Sequence, residues 1–366
     1  MSIAARTTDD ARTVTRPGVA VSVVDGDDAD ALALFARQQV ELAERYGEPD
    51  SGDFDASGLL AAFVVHDDDA PVACAALRDV SGTPDGRGGH HAPATGEVKR
   101  LFVAPEHRGR GHARAVMHAV HAHAVACGLG RLVLETGTRQ PESIDLYLDL
   151  GYLPIEGYGH YAGDPLSRCF ALVVGSGTER RAVGARARRE VVAGPVRRDV
   201  EIHAAPWGDP AAVQLRREMH DTSSAVLYPE LFTGLEAAGG FQGVDARLGA
   251  DVVATFLARS GDEPLGCVSL QRVPEHVRDV HGDALEVKKL FVREAARGAG
   301  VARELMAAVD GEARSRGATT LLLETGIRQP DAITLYRSLG FRVVLPYAPY
   351  DRDPHGVALC FAQPLR

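Results

Sequence analysis

Two turns in this chain carry the residue types that hold phosphates. Arg108, Gly111 and Ala113 form R-x-x-G-x-A directly after EVKRLFV and at the start of an alanine-rich helix pattern. Arg297, Gly300 and Ala302 repeat the pattern after EVKKLFV. Backbone N–H groups at a helix start have no intrahelical partner, and the helix dipole adds partial positive charge there, so such a turn is an anion site. Glycine lets the anion reach the main chain, where any side chain would hold it away. The complete turns are Arg108, Gly109, Arg110, Gly111, His112 and Ala113 in one case, and Arg297, Gly298, Ala299, Gly300, Val301 and Ala302 in the other. Both are read as pyrophosphate cradles. Neither completes the G-x-G-x-x-G of a dinucleotide-binding β-α-β unit.

The turns lie inside a much longer repetition. EVKRLFVAPEHRGRGHARA begins at Glu97 and EVKKLFVREAARGAGVARE at Glu286, and the likeness continues through LVLETGTRQP and LLLETGIRQP to LYLDLGY and LYRSLGF. The differences 286 − 97, 297 − 108, 324 − 135 and 336 − 147 all equal 189. A repeat of that length is a whole domain, since solenoid and propeller units recur every ~20 to 50 residues. The expected division is an N-terminal tail over 1–17, a domain over 18–175, a basic linker over 176–197 and a second domain over 198–366. RRAVGARARREVVAGPVRR, from Arg180 to Arg198, reads as that solvated linker, with polyanion docking as the alternative.

Either half gives the same order of elements. An opening strand (Val19 to Val24; Val200 to Ala205) precedes a helix with apolar residues at 3.6-residue spacing, then two strands joined by an acidic turn. The EVK(R/K)LFV strand follows, then the glycine turn and a long helix, the LETG strand, a short helix through Tyr147 or Tyr336, and a closing strand near Cys169 or Cys360. The fold class is α/β of mixed α+β character: two tandem units, each a twisted mixed sheet flanked by helices.

Composition sets limits on function. The 366 residues carry a net charge of −10, which opposes general nucleic-acid binding. No signal-peptide core and no run of about 18 apolar residues is present, so a cytoplasmic chain without a membrane span is expected. Cys74, Cys169, Cys267 and Cys360 are paired by the repeat, which favours buried apolar roles over disulfides, and Cys127 stands apart. C-x-x-C spacing is absent, and no metal is expected. His90 and His91 in a Gly/Pro-rich loop have no counterpart in the second copy. His112, His118, His121 and His123 mostly replace charged positions of the second copy and read as a solvated helix face. Glu135 and Glu324 could orient an acceptor or the following turn. Arg139 and Arg328 are candidates for a carboxylate-bearing acceptor or for a structural role.

The arrangement resembles the GNAT superfamily of acyl-CoA-dependent N-acetyltransferases, in tandem form. R-x-x-G-x-A matches that family's R/Q-x-x-G-x-G/A pyrophosphate loop, and LYLDLGY and LYRSLGF match its L-Y-x-x-x-G-F/Y signature. Family members often carry Asn seven residues before the tyrosine, whereas Gln140 and Gln329 stand there in this chain. The resemblance implies two acyl-CoA N-acyltransferase folds with acetyl-CoA as co-substrate.

It also implies site roles. In one branch of the family a glutamate eleven residues before the phosphate loop is the general base, and Glu97 and Glu286 stand at that spacing. The alternative for each is a strand-end glutamate paired with Lys99 or Lys288 across a neighbouring strand. The backbone N–H of Leu101 or Leu290 would face the thioester carbonyl, and Val103 and Val292 would pair along the pantetheine arm. Tyr147 and Tyr336 would protonate the departing thiolate, or serve only as core residues. The activity expected is acetyl transfer to the primary amine of a small molecule, by a monomer or homodimer with no nucleic-acid or membrane partner. A protein or peptide lysine acetyltransferase and a non-catalytic acyl-CoA sensor are the alternatives. The loops that would define the acceptor (47–58, 81–96, 227–249 and 272–284) carry no recognisable pattern.

Overall fold

The structure, a computed structural model, describes residues 12–47, 58–175 and 199–365, with the side chains of 12–16 outside the description. The chain divides into two compact units, Met1–Arg189 and Glu190–Arg366. The boundary and the expected linker lie outside the described residues.

The first unit runs β1 (Arg12–Arg16), β2 (Val19–Val24), α1 (Ala29–Tyr46), β3 (Leu59–Asp67), β4 (Ala70–Asp79), β5 (Thr95–Val103), α2 (His112–Ala126), β6 (Arg131–Gly137), α3 (Pro141–Asp149), β7 (Leu153–Ile155) and β8 (Ser167–Val173). Its sheet has the order β1-β2-β3-β4-β5-β6-β8-β7. Helix α1 starts where Asp28 accepts from the Ala31 amide at 2.9 Å and stops at Gly47, whose left-handed conformation returns its N–H to the Ala43 carbonyl. Ala31, Leu34 and Phe35 on one face of α1 pack on Ala62, Val64, Cys74, Ala76 and Phe102. That packing sets α1 beside the end of β5, where the phosphate turn begins.

The second unit runs β9 (Glu201–Ala205), α4 (Pro210–Met219), α5 (Gly240–Gly249), β10 (Val252–Ser260), β11 (Glu263–Arg272), α6 (Glu275–His281), β12 (Ala284–Val292), α7 (Val301–Ser315), β13 (Thr320–Gly326), α8 (Pro330–Ser338), β14 (Arg342–Val343) and β15 (Ala358–Pro364). The order β14-β15-β13-β12-β11-β10-β9 repeats the first sheet without the β1 edge.

Three elements depart from the expectation. Strand β1 occupies part of the segment read as a tail, because Arg12 to Arg16 pair with β2. Helices α5 and α6 fall in loops where no periodicity is legible. The reason at α5 is tertiary: Asp245 takes the Arg216 guanidinium of α4 through two contacts of 2.7 Å, and that guanidinium stacks 3.5 Å from the Trp207 ring centre. A bidentate, stacked arginine is a strong anchor for a helix whose own sequence is weakly amphipathic.

One feature of both sheets positions the site. Among the described residues each sheet has a single parallel pairing, β5 with β6 and β12 with β13. The pairing lasts four residues, Thr95–Val98 against Arg131–Leu134 and Ala284–Val287 against Thr320–Leu323. Beyond it the strands diverge. The cause is a bulge on the other side: the β4–β5 register shifts between Cys74 and Ala76, and the β11–β12 register between Cys267 and Ser269. Opposite those shifts, Arg100 (φ 58°) and Lys289 (φ 56°) hold left-handed backbone that L-residues rarely adopt. A bulge bends its strand and sharpens its twist, which opens a wedge between the parallel pair.

Candidate active site

Leu101 and Val103, with Leu290 and Val292, line the diverging stretch of β5 and β12. A short turn then leads into α2 or α7. Gly109, Gly111, Gly298 and Gly300 all have positive φ, between 74° and 89°. Gly111 and Gly300 are the N-caps, and no side chain caps either helix. The first-turn amides are therefore left for a ligand, except that in α7 the Arg303 amide turns back to the Gly300 carbonyl at 2.9 Å. A Cβ at Gly109, Gly111 or Gly300 would meet nothing within 4 Å, so the space in front of these amides is open.

Arg108 and Arg297 fold back on their own strands, with Nε donating to the carbonyls of Val103 (3.0 Å) and Val292 (3.1 Å). In the first unit Arg108 also meets Glu41 of α1 at 2.5 Å, on the wall of a cleft of about 630 Å³ lined by Arg37, Val40, Glu41, Glu44, Phe102 and Arg108. Arg110 and Ala299 remain on the outer side of their turns, and Ala113 and Ala302 start the helices half-buried. His112 and Val301 differ from the expectation. Both side chains are buried inside the unit, so only their amides face the cradle.

Glu97 and Glu286 lie in the paired stretch just before the wedge opens, and are buried, at 1% and 3% exposure. Arg78 places its guanidinium on Glu97 Oε2 (Nε at 2.6 Å), and the Tyr158 hydroxyl donates to Oε1 at 2.8 Å. Lys99 is 3.9 Å from the same oxygen. In the second unit Gln271 replaces the arginine and donates to Glu286 Oε2 at 2.8 Å. Tyr347 and Tyr350 each donate to Oε1 at 3.0 Å, and Lys288 lies at 3.3 Å. Each lysine thus meets its glutamate two residues along the same strand rather than across a neighbouring one, within a larger network.

The tyrosines of that network are residues of the candidate site that the sequence alone did not single out. Tyr158-x-x-Tyr161 and Tyr347-x-x-Tyr350 obey the same offset, 347 − 158 = 350 − 161 = 189, which was the available signal. Lys99 Nζ donates to the Tyr161 hydroxyl at 2.5 Å, and Lys288 to that of Tyr350. Burial, followed by the charge of Glu97 or Glu286, pushes the phenols of Tyr158, Tyr347 and Tyr350 well above the ordinary tyrosine value.

Tyr147 and Tyr336 are packed beneath α3 and α8 at 5% and 7% exposure, against Tyr152 and Phe170 in one unit and Phe341 and Phe361 in the other. Burial, then the charge of Glu135 or Glu324, raises both phenols, so each keeps its proton at neutral pH. Glu324 itself is pushed up to about 7 by burial, with Lys288 opposing and Glu286 and Asp353 adding to the rise.

Other sequence readings divide. Arg139 and Arg328 make structural contacts. Their amides donate to the Tyr46 and Tyr228 hydroxyls (3.2 and 2.8 Å), their side chains lie over those rings, and their guanidinia hold the carbonyls of Arg45 (2.9 Å) and Leu227 (2.7 Å). The histidines of α2 are not one solvated face: His118 is exposed, but His121 meets the Tyr152 hydroxyl at 3.0 Å and His123 packs edge-on to Phe63. Cys74, Cys169, Cys267 and Cys360 are buried free thiols, and Cys127 is exposed. No helix among the described residues is long and apolar enough to cross a membrane.

The model of the acetyltransferase (GNAT) family matches residues 29–152 and 226–341, together well over half the chain. An IAA acetyltransferase from Azospirillum brasilense is 38% identical over 110 residues, 30% of this chain and 67% of that protein. The uncharacterized N-acetyltransferase YsnE from Bacillus subtilis (strain 168) is 33% identical over 107 residues, 29% of this chain and 66% of its own length. The chain thus spans about two thirds of the length of these curated relatives. A GNAT family acetyltransferase from Elizabethkingia anophelis, solved with acetyl-CoA bound, aligns over 46% of this chain and 99% of its own at 19% identity, with a TM-score of 0.33. With the family's model matched once in each unit, the chain belongs to the GNAT family of acetyltransferases, in tandem.

Proposed function

We propose that both units bind acetyl-CoA and transfer its acetyl group to the primary amine of a small, cationic acceptor. The observation that carries this reading is a wedge of two diverging parallel strands, present in both units. It has an uncapped helix N-terminus at one end and a buried glutamate at the other. The first-turn amides following Gly111 and Gly300 would take the diphosphate, with Arg110 adding charge in the first unit. The diverging edge at Leu101–Val103 and Leu290–Val292 offers main-chain groups to the pantetheine amides, as an added strand would.

In the reaction, the acceptor ammonium gives a proton to Glu97 or Glu286, directly or through one water. The freed amine attacks the thioester carbonyl, forming the C–N bond of a tetrahedral intermediate; its collapse breaks the C–S bond, and the second nitrogen proton passes to the phenolate left when the tyrosine protonates the thiolate. The Leu101 or Leu290 amide holds the oxyanion of the tetrahedral intermediate, an interaction that is typically a large part of acyl-transfer catalysis. Tyr147 or Tyr336 returns a proton to the departing CoA thiolate. A phenol whose pKa is raised by burial is fully protonated for this step.

Support for a cationic acceptor comes from the second unit, where Glu286, Glu324 and Asp353 lie close enough for their charges to act on one another. The net charge of −10 attracts a cation in the same sense. Thiol release from acetyl-CoA, measured across a panel of free amines, amino acids, polyamines and lysine peptides, tests the reading. Turnover on free amines exceeding that on peptides supports it; turnover confined to peptides, or absent on every acceptor, overturns it.

A further inference from the structure

The first unit contains a group of side chains that the acetyl-transfer chemistry does not use. Asp67 at the end of β3, His107 in the turn after β5, and His112 at the first position of α2 bring one ligand-type atom each to within 4.8 Å of one another. His112 Nε2 is 3.2 Å from Asp67 Oδ2, and His107 Nδ1 is 3.9 Å from the same oxygen. Tetrahedral zinc with bonds of 2.0–2.1 Å has ligand atoms about 3.3 Å apart. The His112–Asp67 edge already has that length, and the separations to His107, none above 4.8 Å, are within reach of a rotation of that one side chain.

The chemistry and placement of the three agree. Two imidazoles and one carboxylate form a donor set suited to zinc and its divalent first-row neighbours. His112 is 2% exposed, and its ring is fixed by packing. The side chains of Asp67 and His107 are 18% and 25% exposed, which leaves a path from solvent.

The repeat supplies an independent argument. Strand pairing aligns Asp67 with Ser260, since Asp67 pairs with Ala70 as Ser260 pairs with Glu263. The offset of 189 aligns His107 with Ala296 and His112 with Val301. All three donors are therefore absent together from the second unit, where Ala296 and Val301 are simply buried. The same backbone packs without them, so these donors are not a requirement of the fold.

We propose that Asp67, His107 and His112 form a zinc site specific to the first unit. The ion would tie the end of β3 to the first turn of α2, directly behind the amides of the phosphate cradle. Arg110 is the competing cation, 3.7 Å from Asp67 Oδ2. Metal binding requires no acyl-CoA, so the test does not depend on the transferase reading.

The full chain, stripped with a chelator and dialysed, is titrated with zinc against a chromophoric competitor at pH 7.5. The wild type is expected to hold one tight equivalent per chain. His112→Val, which installs the second unit's own residue, and His107→Ala are each expected to weaken that equivalent by more than about 100-fold, a loss at least as large as outer-shell changes cause. His118→Ala, an exposed position on α2, should leave it unchanged, and Arg110→Gln should tighten it. Cobalt in place of zinc should give the intense visible bands of a four-coordinate ion in wild type and lose them in Asp67→Ser. Equal zinc uptake by wild type and His107→Ala, or no tight equivalent in the wild type, overturns the proposal.

Discussion

Glu97 and Glu286 occupy the same position of the same strand, yet one faces a guanidinium and the other an amide. Arg78 brings a full positive charge to Glu97, while Gln271 brings only a dipole to Glu286. Charge near the second site is instead carried by Lys288 and by neighbouring Glu324. That carboxyl, pushed from 4.5 up to about 7 by burial, binds its proton more tightly in the folded chain. Its contribution to stability is present below pH 4.5 and is lost as pH rises through about 7. Replacing it with Gln should therefore stabilise the second unit by about 3 kcal/mol at pH 8 relative to wild type, and by little at pH 4.5. Denaturation of both proteins at the two pH values checks this, and parallel pH curves would contradict it. Tyr147→Phe combined with Tyr336→Phe should lower kcat by about 100-fold or more with acetyl-CoA affinity unchanged, because a general acid acts only in the transition state. An undiminished kcat would return both tyrosines to a packing role.

At the scale of elements, the site rests on devices of unequal visibility in the sequence. The phosphate turn, its strand and its helix were legible because glycine, arginine and alanine appear there in a short local pattern, written twice. The bulge that opens the wedge was not: Arg100 and Lys289 carry left-handed backbone without the glycine that would announce it. Tyr46 and Tyr228 show the same limit. One closes α1 and the other lies in a loop, at positions the repeat does not align. Even so, both hydroxyls accept from the amide two residues past the LETG strand, that of Arg139 or Arg328, and crowd Gly137 or Gly326. A Cβ at either glycine would overlap the tyrosine hydroxyl. Gly137→Ala and Gly326→Ala should each cost about 1–3 kcal/mol, the usual range for overpacking. Pairing Gly137→Ala with Tyr46→Phe should recover part of that loss; equal stabilities of all these variants in denaturant would remove the tyrosine anchor from the account. Helices α5 and α6 escaped detection for a related reason, since α5 is held by the distant Arg216–Asp245 pair rather than by its own periodicity.

For the molecule as a whole, the repeat made the two-unit organisation and the shared fold readable from sequence, while the differences between units emerged only in three dimensions. The first unit keeps an arginine on its glutamate and a His–His–Asp group behind its cradle. The second carries a tyrosine pair on its glutamate and a carboxyl that titrates near neutrality. Two intact cradles predict two ligands per chain. Calorimetric titration of acetyl-CoA into wild type, Gly111→Glu and Gly300→Glu tests this most directly, because glutamate at either position forces an L-residue into left-handed backbone and sets a negative charge before the phosphate-binding amides. The expected stoichiometry is two in the wild type and one in each variant. A wild-type value of one, or a variant that still binds two, would contradict the claim that both units hold the acyl donor.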